Sequence, residues 1–596
     1  MNIYKFTLMK ILKKINLILL VLLLTSSFVF SQGKTDEEKL KDLDELVNKY
    51  LKDWNVPGVG ISVVKNGKII LAKGYGYRDV DGKLPVTENT LFAIGSCTKA
   101  FTAIDNCILV QKGELNLDKP VINYMPTFKM YNDYVTMNMT ARDLLTHRSG
   151  LPRHDLMWYG SDLSRQELFN RLRFLEPSAG FREKFQYQNL MYMTAGILVE
   201  TIAKDTWENF TKQNILIPLE MNSTNFSTYE SRATNDFARP YREEKDKVKL
   251  IDFRDIPSVG PAGSINSNVK DMANWVIMHL NNGKFNGKKI VDEEMVITTH
   301  TPQIVVPSIP NKELFYGSYG LGWLLNQYRG HLRLEHGGNI DGFSANVCLL
   351  PGDSIGIVIL TNLDGTNMPN VVRNSIIDRM LELETIDWSA RLLEGKKKDD
   401  STEKPETQKD PNQKEGTTPS HPLIDYVGKF ENEAYGTMKI ELKNDNLLID
   451  YHTIKIPLAH YHYDYFKSTS EDMPPMLVNF NLDEKGNVSK IYAQLEQGVK
   501  DIEFKKVTEF KDNAASYEKF AGEYDLQGVT AKVSIKNNVL KLLIPGQPEY
   551  ELIPTGKNNF DIKDLKAYSV TFNISDGKVS EIQFNQPNGV FKAPKK

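Results

Sequence analysis

Cysteine is nearly missing from this chain, with only Cys97, Cys107 and Cys348 among 596 residues. So few and so scattered, they exclude the disulfide framework that staples small exported domains. Cys97 and Cys107 would stand about 15 Å apart along one helix, too far to pair. Burial as small hydrophobes is the expectation for all three. A surplus of one charge is missing too: 73 Lys and Arg face 76 Asp and Glu, a formal charge of -3. That balance gives no footprint for nucleic acid or an anionic membrane. The longest apolar run, Ile15 to Leu24, is half the ~20 residues a membrane-spanning helix needs. There is no Walker A loop, Gly-x-Ser-x-Gly elbow or His-Glu-x-x-His helix, and the mechanisms those motifs carry lose their signatures. What remains is ordinary globular material, 41% hydrophobic and 25% charged, long enough for several folding units.

The first thirty residues depart from that average. Lys5, Lys10, Lys13 and Lys14 precede the apolar run, and Thr25-Ser26-Ser27-Phe28-Val29-Phe30-Ser31 follows it. This is the pattern of a signal peptide over residues 1–31, with Val29 and Ser31 as small residues before the cut. The expectation is export to the periplasm or beyond, with no stable membrane span after cleavage. An uncleaved N-terminal anchor is the competing reading. Cleavage would leave 69 basic against 76 acidic side chains, or -7.

Helical spacing of Leu40, Leu43, Val47, Tyr50 and Leu51 predicts a first helix over 36–54, ended by Pro57-Gly58. Runs 59–64 and 68–74 flank Lys65-Asn66-Gly67 and read as a hairpin. Strands are expected again at 332–335, 345–350 and 355–360, with a closing helix over 371–383. Between these β-rich ends, 97–112, 190–204 and 269–281 read as helices. The plan is an α/β (α+β) domain over 36–390: an antiparallel sheet flanked by helices, with a helical subdomain and a crevice for a ligand. Residues 395–422 carry charge, Pro, Thr and Gln and read as a flexible linker. Beyond them Tyr426-Val427-Gly428-Lys429-Phe430 matches Phe520-Ala521-Gly522-Glu523-Tyr524, and Leu442 to Leu447 matches Ile535 to Val539. This predicts two related all-β modules, barrel- or lipocalin-like, over 423–509 and 515–592.

Ser-x-x-Lys occurs seven times, at Ser31, Ser62, Ser96, Ser267, Ser401, Ser516 and Ser575. Only Ser96 opens an apolar helix, with Lys99 one turn on and free backbone N–H groups for an oxyanion. An ordinary N-cap serine is the plainer alternative. Tyr187 and Asn189 stand just before the next helix, where a phenol can move protons and an amide can hold a lysine or a substrate. Packing and capping are the alternatives. In Glu335-His336-Gly337-Gly338-Asn339, glycines let a substrate lie on a strand edge, and the Asn339 N–H pairs with that of Ser96 as oxyanion donor. The bland reading is a glycine-rich turn. His460, His462 and Asp464 alternate along one run, which an aromatic strand face explains; no metal and no cofactor are expected.

In this order the three boxes resemble the serine β-lactamase-like superfamily, in the branch of class C β-lactamases, D-aminopeptidases, D-Ala-D-Ala carboxypeptidases and serine esterases. Leu144 to Pro152, Gly260 to Ser264 and Tyr319 to Trp323 add to the likeness, which covers about residues 38–385. The resemblance implies a β-lactamase/transpeptidase-like fold. By it Ser96 is a nucleophile activated by Lys99 and Tyr187, either of which could be the base; Asn189 positions substrate, and His336, Gly337 and Gly338 line the site. It gives His147 a structural part. Family members with Lys-Thr-Gly carry a fixed cation where this chain has His336, mostly neutral at pH 7. The expectation is therefore an exported serine hydrolase forming an acyl-enzyme with an ester or amide, peptide-like or containing a D-amino acid. A β-lactamase or D-Ala-D-Ala carboxypeptidase is the nearer alternative, and a non-catalytic envelope protein binding peptide or peptidoglycan the remoter one. A small molecule or peptide is the expected partner; oligomeric state stays open.

Overall fold

The computed structural model describes Met9 and residues 34–402, 410–470, 475–496, 499–507, 517–556, 558–565, 568–575, 577–587 and 589–596. The expected signal peptide lies outside these residues except for Met9. The described residues form two compact units, one holding those up to 402 apart from 159–162, the other 159–162 and those from 410 onward.

The first unit is built on a nine-stranded antiparallel sheet. Its strands are β1 (Gly58–Lys65), β2 (Lys68–Asp79), β3 (Leu84–Pro85), β4 (Ile304–Val306), β5 (Gly317–Tyr319), β6 (Leu324–Tyr328), β7 (His331–Ile340), β8 (Phe343–Leu350) and β9 (Ile355–Thr361). In space they run β4-β5-β6-β7-β8-β9-β1-β2-β3. The hairpin signal at Asn66-Gly67 is realised with both residues at positive φ, as a tight turn between right-twisted strands demands.

Alternation along the central strands sorts their side chains between two layers. Val59, Ile61, Val63, Ile357 and Ile359 point into one core with Leu43, Val47, Val371, Val372 and Ile376. That layer holds helices α1 (Leu43–Asp53), α6 (Met368–Met380) and α7 (Trp388–Thr402), so the two ends of the domain meet on one face. Tyr50 Oη lies 3.0 Å from Ser375 Oγ, and Trp54 Nε1 donates to Ser389 Oγ at 3.1 Å. On the opposite face α5 (Val269–Leu280) comes so close that a Cβ on Gly60 would stand 3.0 Å from Val269 Cγ1, and one on Gly356 1.9 Å from Val276 Cγ1. Between β3 and β4 lies the helical subdomain, with α2 (Thr98–Gln111), α3 (Asn189–Ala203) and the short α4 (Gly260–Gly263).

The first expected helix is in fact two. A turn over Asp36–Lys39, boxed by Thr35 and Glu38, stops at Leu40 before α1 begins. Apolar spacing continues across the break, which is why periodicity alone does not reveal it. The stretch read as linker begins inside α7. Residues 410–422 are tied down where described: Gln413 Nε2 donates to Tyr461 O at 2.9 Å and Ser420 N to Asp464 Oδ1 at 2.9 Å. Composition cannot register such long-range bonds.

In the second unit, the strands between Gly428–Asn432 and Ile502–Val507 form a closed eight-stranded barrel. Eight more, from Gly522–Leu526 to Gly589–Pro594, form a sheet whose first strand bridges back to Lys595. One device recurs in both. Gly428 and Gly522 have φ of 151° and 152°. The stem of Lys506 lies against the first and that of Lys595 against the second. Each ammonium caps an aromatic ring, Phe430 at 5.6 Å and Tyr524 at 5.7 Å, then donates to a carbonyl, Asp425 O at 2.8 Å and Lys519 O at 2.9 Å. His460 and Asp464 are already engaged, the ring with Tyr463 O and the carboxylate with Tyr426 and Ser420. Among the described residues no helix is long and apolar enough to cross a membrane.

All six tryptophans lie between Trp54 and Trp388, so their fluorescence reports the first unit alone. Ile357→Ala, at a fully buried position of β9, is expected to cost that unit about 2–5 kcal/mol, read as an earlier transition in denaturant.

Candidate active site

Ser96 sits in a 3-10 turn, Gly95–Cys97, that leads into α2. Its placement depends on close packing against β7. Gly95 has φ 50°, and a Cβ there would stand 3.0 Å from Asn339 N; one on Gly338 would stand 1.9 Å from Ile94 O. Cys97 Sγ donates to His336 O at 3.2 Å. The Glu335–Asn339 motif thus lies within β7, on the part that runs beyond β6, whose pairing ends at Leu324↔Glu335. Past that point Gly337 and Asn339 are exposed and Gly338 is buried. The two-residue turn closes on Ile340↔Phe343; alternation of bonded and unbonded pairs then directs the Asn339 N–H away from β8, toward the Ser96 turn.

Lys99 is fully buried. Its Nζ lies 3.1 Å from Ser96 Oγ, 2.8 Å from Asn189 Oδ1 and 2.8 Å from Ala262 O. Burial and the Arg153 guanidinium hold the amine well below its ordinary pKa. The ammonium or amine also faces two rings, Tyr187 at 4.7 Å and Tyr192 at 5.4 Å. Asn189 opens α3, and its amide is oriented from behind: Nδ2 donates to Asp155 Oδ1 at 2.9 Å. A carboxylate only accepts, so the Asn189 oxygen must turn toward Lys99.

The loop before α3 is bracketed by His147, a left-handed residue at φ 56°. Its carbonyl accepts from Gln186 N at 2.8 Å and its Nδ1 from Gln188 N at 3.0 Å. Its ring lies 4.3 Å from that of Tyr187 between them. Tyr187 Oη is buried and completes no hydrogen bond. Burial raises its pKa, while the Ser96 side chain pulls the other way.

His336 has both ring nitrogens occupied. Nδ1 lies 2.6 Å from Gly337 O, which can only accept, so Nδ1 carries the proton. Nε2 then accepts from Tyr319 Oη at 3.1 Å. Burial lowers the ring pKa to about 4, and the neutral His336 offers a ligand neither a charge nor a free donor. Beneath it, on the other face of β7, burial pushes the Glu335 carboxyl upward, but Arg333 and Arg373 prevail and hold it at about 2.

All eight residues singled out from the sequence lie on the three elements that converge here: Ser96 and Lys99 on the turn and α2, Tyr187 and Asn189 before and at α3, His336, Gly337, Gly338 and Asn339 on β7. Four others escape the sequence reading: Arg153, Asp155, Tyr319 and Ala262. Tyr319 and Ala262 sit inside motifs already noticed, and Arg153 and Asp155 directly follow Leu151-Pro152. Continuation of a motif into its neighbours was the available signal.

The Beta-lactamase family model matches residues 43–380, more than half of the chain. The chain belongs to the beta-lactamase family of serine hydrolases. A Domain of unknown function (DUF3471) matches residues 412–506. Among curated relatives, the Unguisins hydrolase ungD' of Aspergillus campestris is 28% identical over 426 residues, 67% of this chain and 77% of that protein. Protein flp of Staphylococcus aureus is 29% identical over 348 residues, 56% of this chain and 65% of flp. The chain therefore spans just under two thirds of flp's length. The octameric penicillin-binding protein homologue from Pyrococcus abyssi superposes with a TM-score of 0.52 at 21% identity. That alignment covers 85% of this chain and 98% of the homologue, and shows a shared fold.

A His held neutral by burial is a stability that acid removes. The folded pKa of His336, about 4, lies below the ordinary 6.5, so the unfolded chain binds the extra proton between those values and stability falls as pH drops through them. His147, His154, His279 and His300 are lowered in the same sense, chiefly by burial. Acidification from pH 7 to 4.5 should lower the melting temperature of the first unit. His336 alone contributes roughly 2–3 kcal/mol to the loss, and His336→Gln should flatten the slope.

Proposed function

We propose that the protein is an exported serine hydrolase that cleaves an ester or amide, peptide-like or containing a D-amino acid, through an acyl-enzyme on Ser96. The observation that carries this reading is the coordination of Lys99. Two of its three neighbours, Asn189 Oδ1 and Ala262 O, can only accept. A neutral amine spends both N–H groups on them and leaves its lone pair for the hydroxyl of Ser96. Of the two candidate bases, Lys99 is thus favoured: burial lowers its pKa, toward the free amine, and raises that of Tyr187, toward the phenol.

In this mechanism Lys99 takes the Ser96 proton as Oγ bonds to the carbonyl carbon, and the N–H groups of Ser96 and Asn339 receive the oxyanion. Collapse breaks the bond to the leaving group, which departs with the proton that Lys99 took from Ser96. Water then adds to the acyl carbon, gives its proton to Lys99, and releases the acid and free Ser96. The relative named Unguisins hydrolase supports the hydrolytic class. The neutral, fully engaged His336 argues for ester or amide cleavage over β-lactam hydrolysis, because no fixed cation stands at that position.

Fluorophosphonate labelling and hydrolysis of 4-nitrophenyl esters by the purified protein test the assignment. Ser96→Ala should abolish both, and Lys99→Met should lower kcat/KM by about 10²–10⁴-fold. Labelling that survives in Ser96→Ala contradicts the nucleophile.

A further inference from the structure

His336 contributes no charge to the site, but a fixed cation stands beside it on the loop after Pro152. Arg153 lies with its guanidinium carbon 5.0 Å from the centre of the Tyr187 ring, the ring whose centre is 4.7 Å from Lys99 Nζ. The guanidinium is therefore one aromatic side chain away from the reacting centre. Its neighbour His154, at φ 50°, turns the backbone so that Asp155 reaches the same place.

Arg153 and Asp155 form an ion pair, Nε to Oδ2 at 2.6 Å, but its two ends are unequal. The carboxylate accepts from Asn189 Nδ2 at 2.9 Å, Trp158 Nε1 at 2.9 Å and Arg153 Nε, and its side chain is 28% exposed. Three of its roughly four acceptor sites are taken within the protein. The Arg153 side chain is 50% exposed, and of its guanidinium nitrogens only Nε is bonded; among the described residues neither Nη1 nor Nη2 has a partner. Four N–H donors in a rigid plane remain on the more exposed member of the pair. Such a fork matches a carboxylate in two parallel hydrogen bonds. The other basic groups of the site cannot serve, because Lys99, His147 and His336 are all buried.

We propose that Arg153 is the specificity-determining residue of this site, binding a free carboxylate on the substrate and selecting an anionic acyl compound over its neutral counterpart. The substrate class this defines is a carboxylate-bearing ester or amide, a peptide among them. The proposal rests on the serine-hydrolase reading for its site, and the experiment separates the two.

The 4-nitrophenyl monoester of adipic acid and its mixed methyl ester differ by one charge and one methyl group. The wild-type protein should prefer the monoester, and Arg153→Gln should lower the ratio of the two kcat/KM values roughly ten- to hundredfold, the worth of charge-assisted hydrogen bonds. Arg153→Lys, keeping charge without the fork, should restore part of it. In parallel, ligand-observed NMR follows binding of monomethyl adipate to Ser96→Ala, with and without Arg153→Gln. Turnover without a preference, or a preference that survives Arg153→Gln, overturns the role of Arg153 and leaves the hydrolase reading standing. An equal loss on both esters reduces Arg153 to support for Tyr187 and also overturns it. No turnover, with binding that depends on Arg153, supports the anion site and overturns the hydrolase reading. No turnover and no binding overturns both.

Discussion

One buried amine organises the catalytic unit. A lysine cannot be taken out of water cheaply, and Lys99 is accommodated by a shell that the rest of the subdomain exists to hold in register. Its hydrogen-bond partners come from three elements, Ser96, Asn189 and Ala262. Each is fixed in turn. Asn189 is held by Asp155. The carbonyl of Ala262 is fixed by α4, whose Pro261 accepts from Thr102 Oγ1 at 2.7 Å and would collide with any Cβ on Gly196. The turn of Ser96 is clamped by β7. The packing of α2, α3 and α4 and the electrostatics of the site are thereby one arrangement. A cavity or a shifted helix among them would be felt first as a change in the proton affinity of Lys99.

Much of this was legible in the sequence, for identifiable reasons. Central strands betray themselves by β-branched runs and by Asn66-Gly67 at their hairpin; α2, α3 and α5 by their apolar content between polar ends. The three boxes were legible because each pairs a reactive side chain with a structural cue, a helix start or a glycine pair. What stayed hidden depends on tertiary partners. Glu335-His336-Gly337-Gly338-Asn339 looks like a turn following a strand, because two glycines normally weaken β structure. It is a strand because the Ser96 turn needs glycine at 338 to approach. Arg153 and Asp155 form an i, i+2 pair on an irregular loop, and no periodicity marks a loop whose geometry is set by His154.

The C-terminal modules show the opposite balance. Their repeat was visible as two short matches, and the structure supplies the physical content of the match. Gly428 and Gly522 are glycine because a lysine stem takes the space of a side chain, and Phe430 and Tyr524 are aromatic because an ammonium sits over the ring. The lysines themselves, Lys506 and Lys595, lie 78 and 73 positions after their glycines. Sequence spacing therefore preserves one half of the device and obscures the other.

The charges under β7 have a consequence for how accurately the oxyanion donors can be aligned. Arg333 and Glu335 project to the α6 side of the sheet, where Arg373 completes a buried triad with them. Side-chain direction alternates along a strand, so a slip of β7 by a single residue would turn this pair to the other face. Arg373 would be left buried without its carboxylate, at a cost of about 3–5 kcal/mol. An apolar strand can slide past such a step at little expense; this one cannot. The triad acts as an index pin, and the Asn339 amide, four residues along the same strand from Glu335, inherits its accuracy.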